Sequence, residues 1–160
     1  MKRWLVLERL VKENGWSKGA EIGVLNGATT FHLLDRCPDL HLVAVDQWAM
    51  DNTVYGDLTD VGVEFVKKAR GAYEGRCCIL LGHSASMANN VEDGSLDFVF
   101  IDADHSYESA LADIKAWAPK VRPGGAVMGH DIDFETVAQA VKDTLGNWET
   151  LNDDVWMVQR

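Results

Sequence analysis

One stretch constrains this chain more than any other: Ala20-Glu21-Ile22-Gly23-Val24-Leu25-Asn26-Gly27-Ala28-Thr29-Thr30, with Asp46 nineteen residues beyond Gly27. An apolar strand runs into a turn with glycines at 23 and 27, then into a helix. A second apolar strand, His41 to Val45, ends on a carboxylate. In an open α/β sheet that order serves an adenosine-containing cofactor. The glycines let the backbone approach the ligand, and the acid after the second strand takes the ribose hydroxyls. The dinucleotide fingerprint G-x-G-x-x-G is absent, because Leu25 stands where its second glycine belongs.

The same strand-helix alternation continues to the end of the chain. Trp4, Leu7, Leu10 and Val11 mark a first helix that Gly15 stops. Strand one is predicted over Ala20 to Leu25, a helix over Thr29 to Arg36, and strand two over His41 to Val45. Gln47 to Asp60, with Trp48, Met50, Tyr55 and Gly56, reads as a loop over the site. A helix over Val61 to Tyr73 leads to strand three, Cys77 to Leu81, and a short helix within Ser84 to Asn90. Strand four, Leu96 to Ile101, is an almost unbroken apolar run, as expected where helices cover both faces. Ser106 caps a helix carrying Tyr107, Ala110, Leu111, Ile114 and Trp117. Pro123-Gly124-Gly125 turns the chain into strand five, Ala126 to Met128. Asp133 is placed to cap the last helix, and Trp148 to Leu151 with Val155 to Val158 read as a closing hairpin. The expected fold is α/β: a single domain over residues 1–160 with a doubly wound, mostly parallel seven-stranded sheet and a C-terminal antiparallel hairpin.

The net charge of −10, with no basic stripe, argues against a nucleic-acid partner. Cys37, Cys77 and Cys78 form neither an even framework nor a CxxC, so they read as reduced thiols. No window approaches the length of an apolar membrane span, and the N-terminus has no continuous apolar core. A cytoplasmic location with no membrane partner is the expectation.

Polar clusters fall at the carboxyl ends of the predicted strands, where open α/β sheets bind ligands. They are Gly23 to Gly27, Asp46, His83-Ser84, Asp102 to His105, and His130-Asp131. Asp102 and Asp104, two apart after a buried strand, could converge with Asp131 on one hard cation such as Mg²⁺, which takes oxygen ligands. Removing a hydroxyl proton would fall to Asp104, His105 or His130. His32, His41 and His83 have no partner nearby in sequence and read as surface or strand positions. No Gly-x-Ser-x-Gly elbow or Cys/His pair supports hydrolase chemistry.

Glu21-x-Gly23-x-x-x-Gly27 followed by a distant acid resembles motif I of the class I S-adenosylmethionine methyltransferases. Ile101-Asp102-Ala103-Asp104-His105-Ser106-Tyr107 and Gly129-His130-Asp131 resemble a small group among them, typed by I-D-G/A-D-H-x-Y and G-H-D. That group includes sugar and natural-product O-methyltransferases, several of which use a divalent metal. The resemblance implies S-adenosylmethionine as cofactor and a Rossmann-like methyltransferase fold. Glu21, Gly23, Asn26 and Gly27, with Asp102, would hold the cofactor's amino-acid part; Asp46 would take the ribose, and Ser84 and Ala85 would border the adenine. Asp102 and Asp131 would hold the metal. Ile132 stands where the catechol-type branch places a third ligand, Asn, so Asp104 or Asp133 would have to substitute. The implied partner is a small-molecule acceptor with a hydroxyl group, and a homo-oligomer joined at Trp4 or Trp16 would complete the site. On the ribose role alone, Asp46→Ala costs affinity and little stability. Two rivals remain. One is a nucleotide-sugar glycosyltransferase using Asp102-x-Asp104 on a metal; the other is a cofactor-binding subunit without catalysis.

Overall fold

The computed structural model describes residues 2–49 and 56–160. Its elements run α1 (Arg3–Asn14), β1 (Lys18–Ile22), α2 (Ala28–Arg36), β2 (His41–Asp46), α3 (Thr59–Ala72), β3 (Cys77–Leu81) and α4 (Ser84–Met87). They continue with β4 (Leu96–Ile101), α5 (Tyr107–Trp117), β5 (Val121–Gly129), α6 (Glu135–Leu145), β6 (Glu149–Thr150) and β7 (Trp156–Gln159). The seven strands form one sheet in the order β3-β2-β1-β4-β5-β7-β6. The first five are parallel, and β7 pairs antiparallel with both β5 and β6. Met50 and Tyr55 of the expected loop lie outside the described residues.

Period-two alternation along the strands sends side chains to two separate cores. Phe98 and Phe100 of β4, with Leu42, Ala44 and Met128, pack under α1, α2 and α3. Val99 and Ile101, with Ala20, Ile22 and Val127, pack under α5 and α6. The sheet is covered on both faces, so each parallel strand reads as a run of apolar residues rather than an alternation.

Local chemistry sets the element ends. Gly15 closes α1 in the left-handed region at φ 64°, a conformation glycine adopts without Cβ strain. Ser106 caps α5, its hydroxyl accepting from the Ser109 N–H at 3.4 Å. Asp133 does not cap α6: Phe134 stands at the cap position, no side chain supplies the bond, and Asp133 is exposed. Strand β1 stops at Ile22 rather than Leu25, because the backbone turns left-handed at Gly23 (φ 84°). Pro123-Gly124-Gly125 lies inside β5, not before it, where the register against β4 shifts between Leu96 and Phe98. Trp16 is buried and stacks on Phe98 with ring centroids 5.4 Å apart, so it belongs to the core and is not free for a subunit contact. Among the described residues, no helix is long and apolar enough to cross a membrane.

Candidate active site

The chain leaves β1 toward β2 and β3 on one side and returns through β4 and β5 on the other, so β1 and β4 flank the topological switch point. Ligands of open α/β sheets bind outside the carboxyl ends of the strands at this point. Three loops meet there. The Gly23 N–H donates to the Val45 carbonyl at 2.9 Å, the Asp102 N–H to Ile22 at 2.8 Å, and the His130 N–H to Ile101 at 3.0 Å.

The turn after β1 is held by Asp46. One oxygen, Oδ2, accepts from the N–H groups of Val24 and Leu25, both at 2.8 Å, and Oδ1 accepts from Trp48 at 2.9 Å. Leu25 has φ 52°, a left-handed backbone that a branched side chain adopts only under constraint. The Trp48 indole adds a bond to the Leu25 carbonyl at 2.7 Å. Leu25 therefore has the kind of backbone a glycine would favour, imposed by its partners rather than by its own chemistry. Asn26 is exposed and its Oδ1 accepts from the Ala28 N–H at 3.2 Å, a local turn at the start of α2. A groove of about 350 Å³ opens directly after Asp46, lined by Gln47, Trp48, Gly62, Val63, Val66 and Leu81 among others.

Glu21 is buried and accepts a hydrogen bond from the Thr30 hydroxyl. Burial pushes its carboxyl up to about 8, with the Thr30 bond opposing and the charge of Asp102 assisting. Between the ordinary 4.5 and about 8 the folded chain therefore holds a proton that the unfolded chain has released. Folding takes up that proton, so Glu21 makes stability fall as pH rises through this window, by at most about 1.4 kcal/mol per pH unit. Glu21→Gln is expected to remove that slope and to gain most at the alkaline end. Urea denaturation of both proteins across the window reads it, and parallel pH profiles would contradict it.

On the other side of the switch point, Asp102, His105, His130 and Asp131 form one network. Asp131 Oδ2 lies 2.7 Å from His105 Nε2, and its Oδ1 lies 3.0 Å from His130 Nδ1. Asp102 Oδ1 is 3.7 Å from the same His130 Nδ1. The hydrogen bond from His130 holds the Asp131 carboxyl below the usual range despite burial. Burial by itself would lower the pKa of His130; the hydrogen bond to Asp131 and the charges of Asp102 and Asp131 outweigh it and hold the imidazole above its ordinary value. Burial raises Asp102, against the pull of Arg3 and His130. His130 Nε2 is buried without a hydrogen bond, 3.9 Å from Asp153 Oδ2.

Two expected residues stay outside this network. Asp104 is exposed and its Oδ1 accepts from the Ser106 N–H at 2.6 Å, which holds its carboxyl low and makes it part of the turn into α5. The Ser84 hydroxyl donates to the buried Asp113 of α5, and the Ser84 carbonyl accepts from the Trp117 indole at 3.1 Å. Ser84 thus ties α4 to α5, with part-exposed Ala85 beside it. His32 has a partner far away in sequence, Glu8, at 2.6 Å. Ile132 packs against the core under α5 and α6.

Sequence reasoning passes over two residues that the structure brings to the site. Arg3 Nε lies 2.8 Å from Asp102 Oδ2, as an ion pair without an aligned hydrogen bond. Asp153, in the turn of the terminal hairpin, accepts from the Arg3 backbone N–H at 2.6 Å. One signal was available: Arg3 is a cation in the first turn of a helix with no acid there, against the helix dipole.

The family model described as a methyltransferase domain, Methyltransf_24, matches residues 20–132. Among solved structures, an O-methyltransferase from Bacillus cereus in complex with SAH is similar over 99% of this chain and 80% of its own, with TM-score 0.68 and 17% identity. The SAH-bound methyltransferase PaMTH1 from Podospora anserina aligns over 98% of this chain and 77% of its own, with TM-score 0.74 and 11% identity. CalS11, a TDP-rhamnose 3'-O-methyltransferase of calicheamicin biosynthesis, aligns over 97% and 78%, with TM-score 0.68 and 14% identity. A curated relative, the uncharacterized protein y4gI of Sinorhizobium fredii, is 36% identical over 45 residues, which is 28% of this chain and 5% of the relative's length. With the glycine turn, the acid after β2 and the seven-stranded sheet in place, the chain belongs to the methyltransferase-domain family of the class I, S-adenosylmethionine-dependent fold.

Proposed function

We propose that this protein transfers a methyl group from S-adenosylmethionine to a hydroxyl of a small-molecule acceptor. The observation that carries this reading is the pairing of a carboxylate-lined cofactor turn with the Asp131-bridged histidines across the switch point. Bound cofactor supplies an electrophilic methyl on a sulfonium. Gly23 to Gly27 would form the turn around the cofactor's amino-acid part, beside the carboxyl of Glu21, which is bonded to Thr30, and that of Asp102, which is paired with Arg3. The groove beside Gln47 is of a size that small-molecule sites use, about 300 Å³ or more, and is apolar enough for a purine.

His130 is the base in this reading. The Nδ1–H of His130 donates to Asp131, which leaves Nε2, without a hydrogen-bond partner in the folded chain, as the acceptor. When bound, the cofactor would supply its methyl to the acceptor oxygen and keep the carbon–sulfur electron pair on sulfur, and the hydroxyl proton would pass to Nε2 of His130. Asp131, ionised, balances the imidazolium that results. Asp104, committed to Ser106, takes no part. For the same reason Asp102-x-Asp104 does not present two carboxylates to one ion, which disfavours the glycosyltransferase reading.

The donor set of Asp102, His105 and Asp131 brings ligand-capable atoms within 4.8 Å of one another. It does not fit a divalent ion as it stands, because Arg3 neutralises Asp102 and Ile132 offers no third oxygen. No step of the mechanism uses a metal.

Calorimetry with S-adenosylhomocysteine tests the reading, with NAD and a nucleotide sugar as controls. Micromolar binding of the nucleoside thioether alone is expected. His130→Gln is expected to keep that binding while losing turnover on a panel of hydroxylated acceptors by about 100-fold or more. Preference for the nucleotide sugar would discard the reading, and binding with no turnover by either protein would leave a cofactor-binding subunit.

A further inference from the structure

We propose that the guanidinium of Arg3 takes the place of a divalent cation beside Asp102, so that the site works without metal and α1 is part of it. The inference rests on the methyl-transfer reading and adds the source of the positive charge. Asp102 is largely buried and Arg3 Nε approaches its Oδ2 to 2.8 Å. The main chain of Arg3 is pinned separately, by the 2.6 Å bond from its N–H to Asp153. The hairpin turn that carries Asp153 is tied back to the site, because the Ile132 N–H donates to the Asp154 carbonyl at 3.2 Å. Residues from the two ends of the chain thus meet over β4 and β5.

Asp102 already has a fixed cation against it without an ion. Asp102 faces Arg3, and Asp131 lies between His105 and His130. A doubly charged ion at the convergence of Asp102, His105 and Asp131 would sit beside the guanidinium, and like charges at such separations repel strongly in a partly buried site. The cost of placing a cation in the first turn of α1, against the helix dipole, is offset by Asp102. Arg3 acts through Asp102, holding its carboxylate in place next to His130, so it is a positioning residue.

Mn²⁺ is the probe, titrated by calorimetry into the full chain as wild type, Arg3→Ala and Arg3→Lys. Melting curves and S-adenosylhomocysteine binding are measured on the same samples. Wild type and Arg3→Lys are expected to take up no Mn²⁺ in the millimolar range. Arg3→Ala is expected to bind it at least about tenfold more tightly, because removing a neighbouring positive charge unmasks the carboxylates. Adding Asp131→Asn is expected to abolish the gain. If Arg3→Ala does not fold, Arg3→Gln drops the charge while keeping much of the length and carries the same comparison. Equal Mn²⁺ affinity with and without the Arg3 charge, at whatever level, overturns the proposal. Failure of wild type to bind S-adenosylhomocysteine overturns the methyl-transfer reading instead, and the Mn²⁺ comparison stays readable.

Discussion

Gly23→Ala is expected to abolish cofactor binding and to cost about 2–5 kcal/mol of stability. A Cβ at this position would lie 2.1 Å from the Asp102 carbonyl oxygen and 2.8 Å from the Ala103 Cα. Both are backbone atoms, and hydrogen bonds on either side hold them: Gly23 N–H to Val45 and Asp102 N–H to Ile22. Neither loop can yield without breaking a rung between neighbouring strands. The left-handed φ of 84° adds strain for any L-residue. The melting temperature should fall by roughly 5–15 °C. Gly75→Ala is the control, since its φ is +80° but nothing lies within 4 Å of an added Cβ. It carries the strain alone, about 1–2 kcal/mol. Equal losses in the two variants would show that crossing the end of β4 does not constrain the turn.

Asp46→Ala is the second large effect, and it differs from what a ribose-binding acid implies. Such an acid, removed, costs affinity and little stability. Here the carboxylate accepts three backbone N–H groups, from Val24, Leu25 and Trp48. Bonds to a charged acceptor contribute about 1.5–3 kcal/mol each, and the freed N–H groups recover part of that from water. A net loss of about 3 kcal/mol is expected, together with loss of S-adenosylhomocysteine binding, because Leu25 no longer holds its left-handed backbone. Asp46→Asn, which retains one acceptor oxygen, should fall between. Urea denaturation and calorimetry on the same samples separate the two roles. Unchanged stability with lost affinity would return Asp46 to the ribose role alone.

Much of the site was legible because its parts are local. Glu21, Gly23 and Gly27 announce a strand and a turn within a few residues of one another, and Asp46 ends the next apolar strand, nineteen residues beyond Gly27. Asp102, His105, His130 and Asp131 follow buried apolar strands, and parallel strands bring their carboxyl ends to one edge. The use to which each group is put was less legible. Pattern places Asp104 and Ser84 at strand ends without foretelling their bonds: Asp104 accepts from the Ser106 N–H and the Ser84 hydroxyl donates to Asp113. Asp133 looks like a helix cap and is not one. A short polar side chain has several hydrogen-bond partners within reach, and pattern does not say which one it meets.

The sequence by itself determined the α/β class, the doubly wound sheet, the closing hairpin and the strand edge on which the polar clusters gather, since hydrophobic period and turn chemistry act over a few residues. Only the tertiary structure decided what neutralises Asp102. Arg3 and Asp102 are separated by almost a hundred residues, and Arg3 and Asp153 by 150. A charge buried at the end of β4 is settled by whichever cation the folded chain delivers to it, because the desolvation cost belongs to the place and not to the residue's neighbours in sequence.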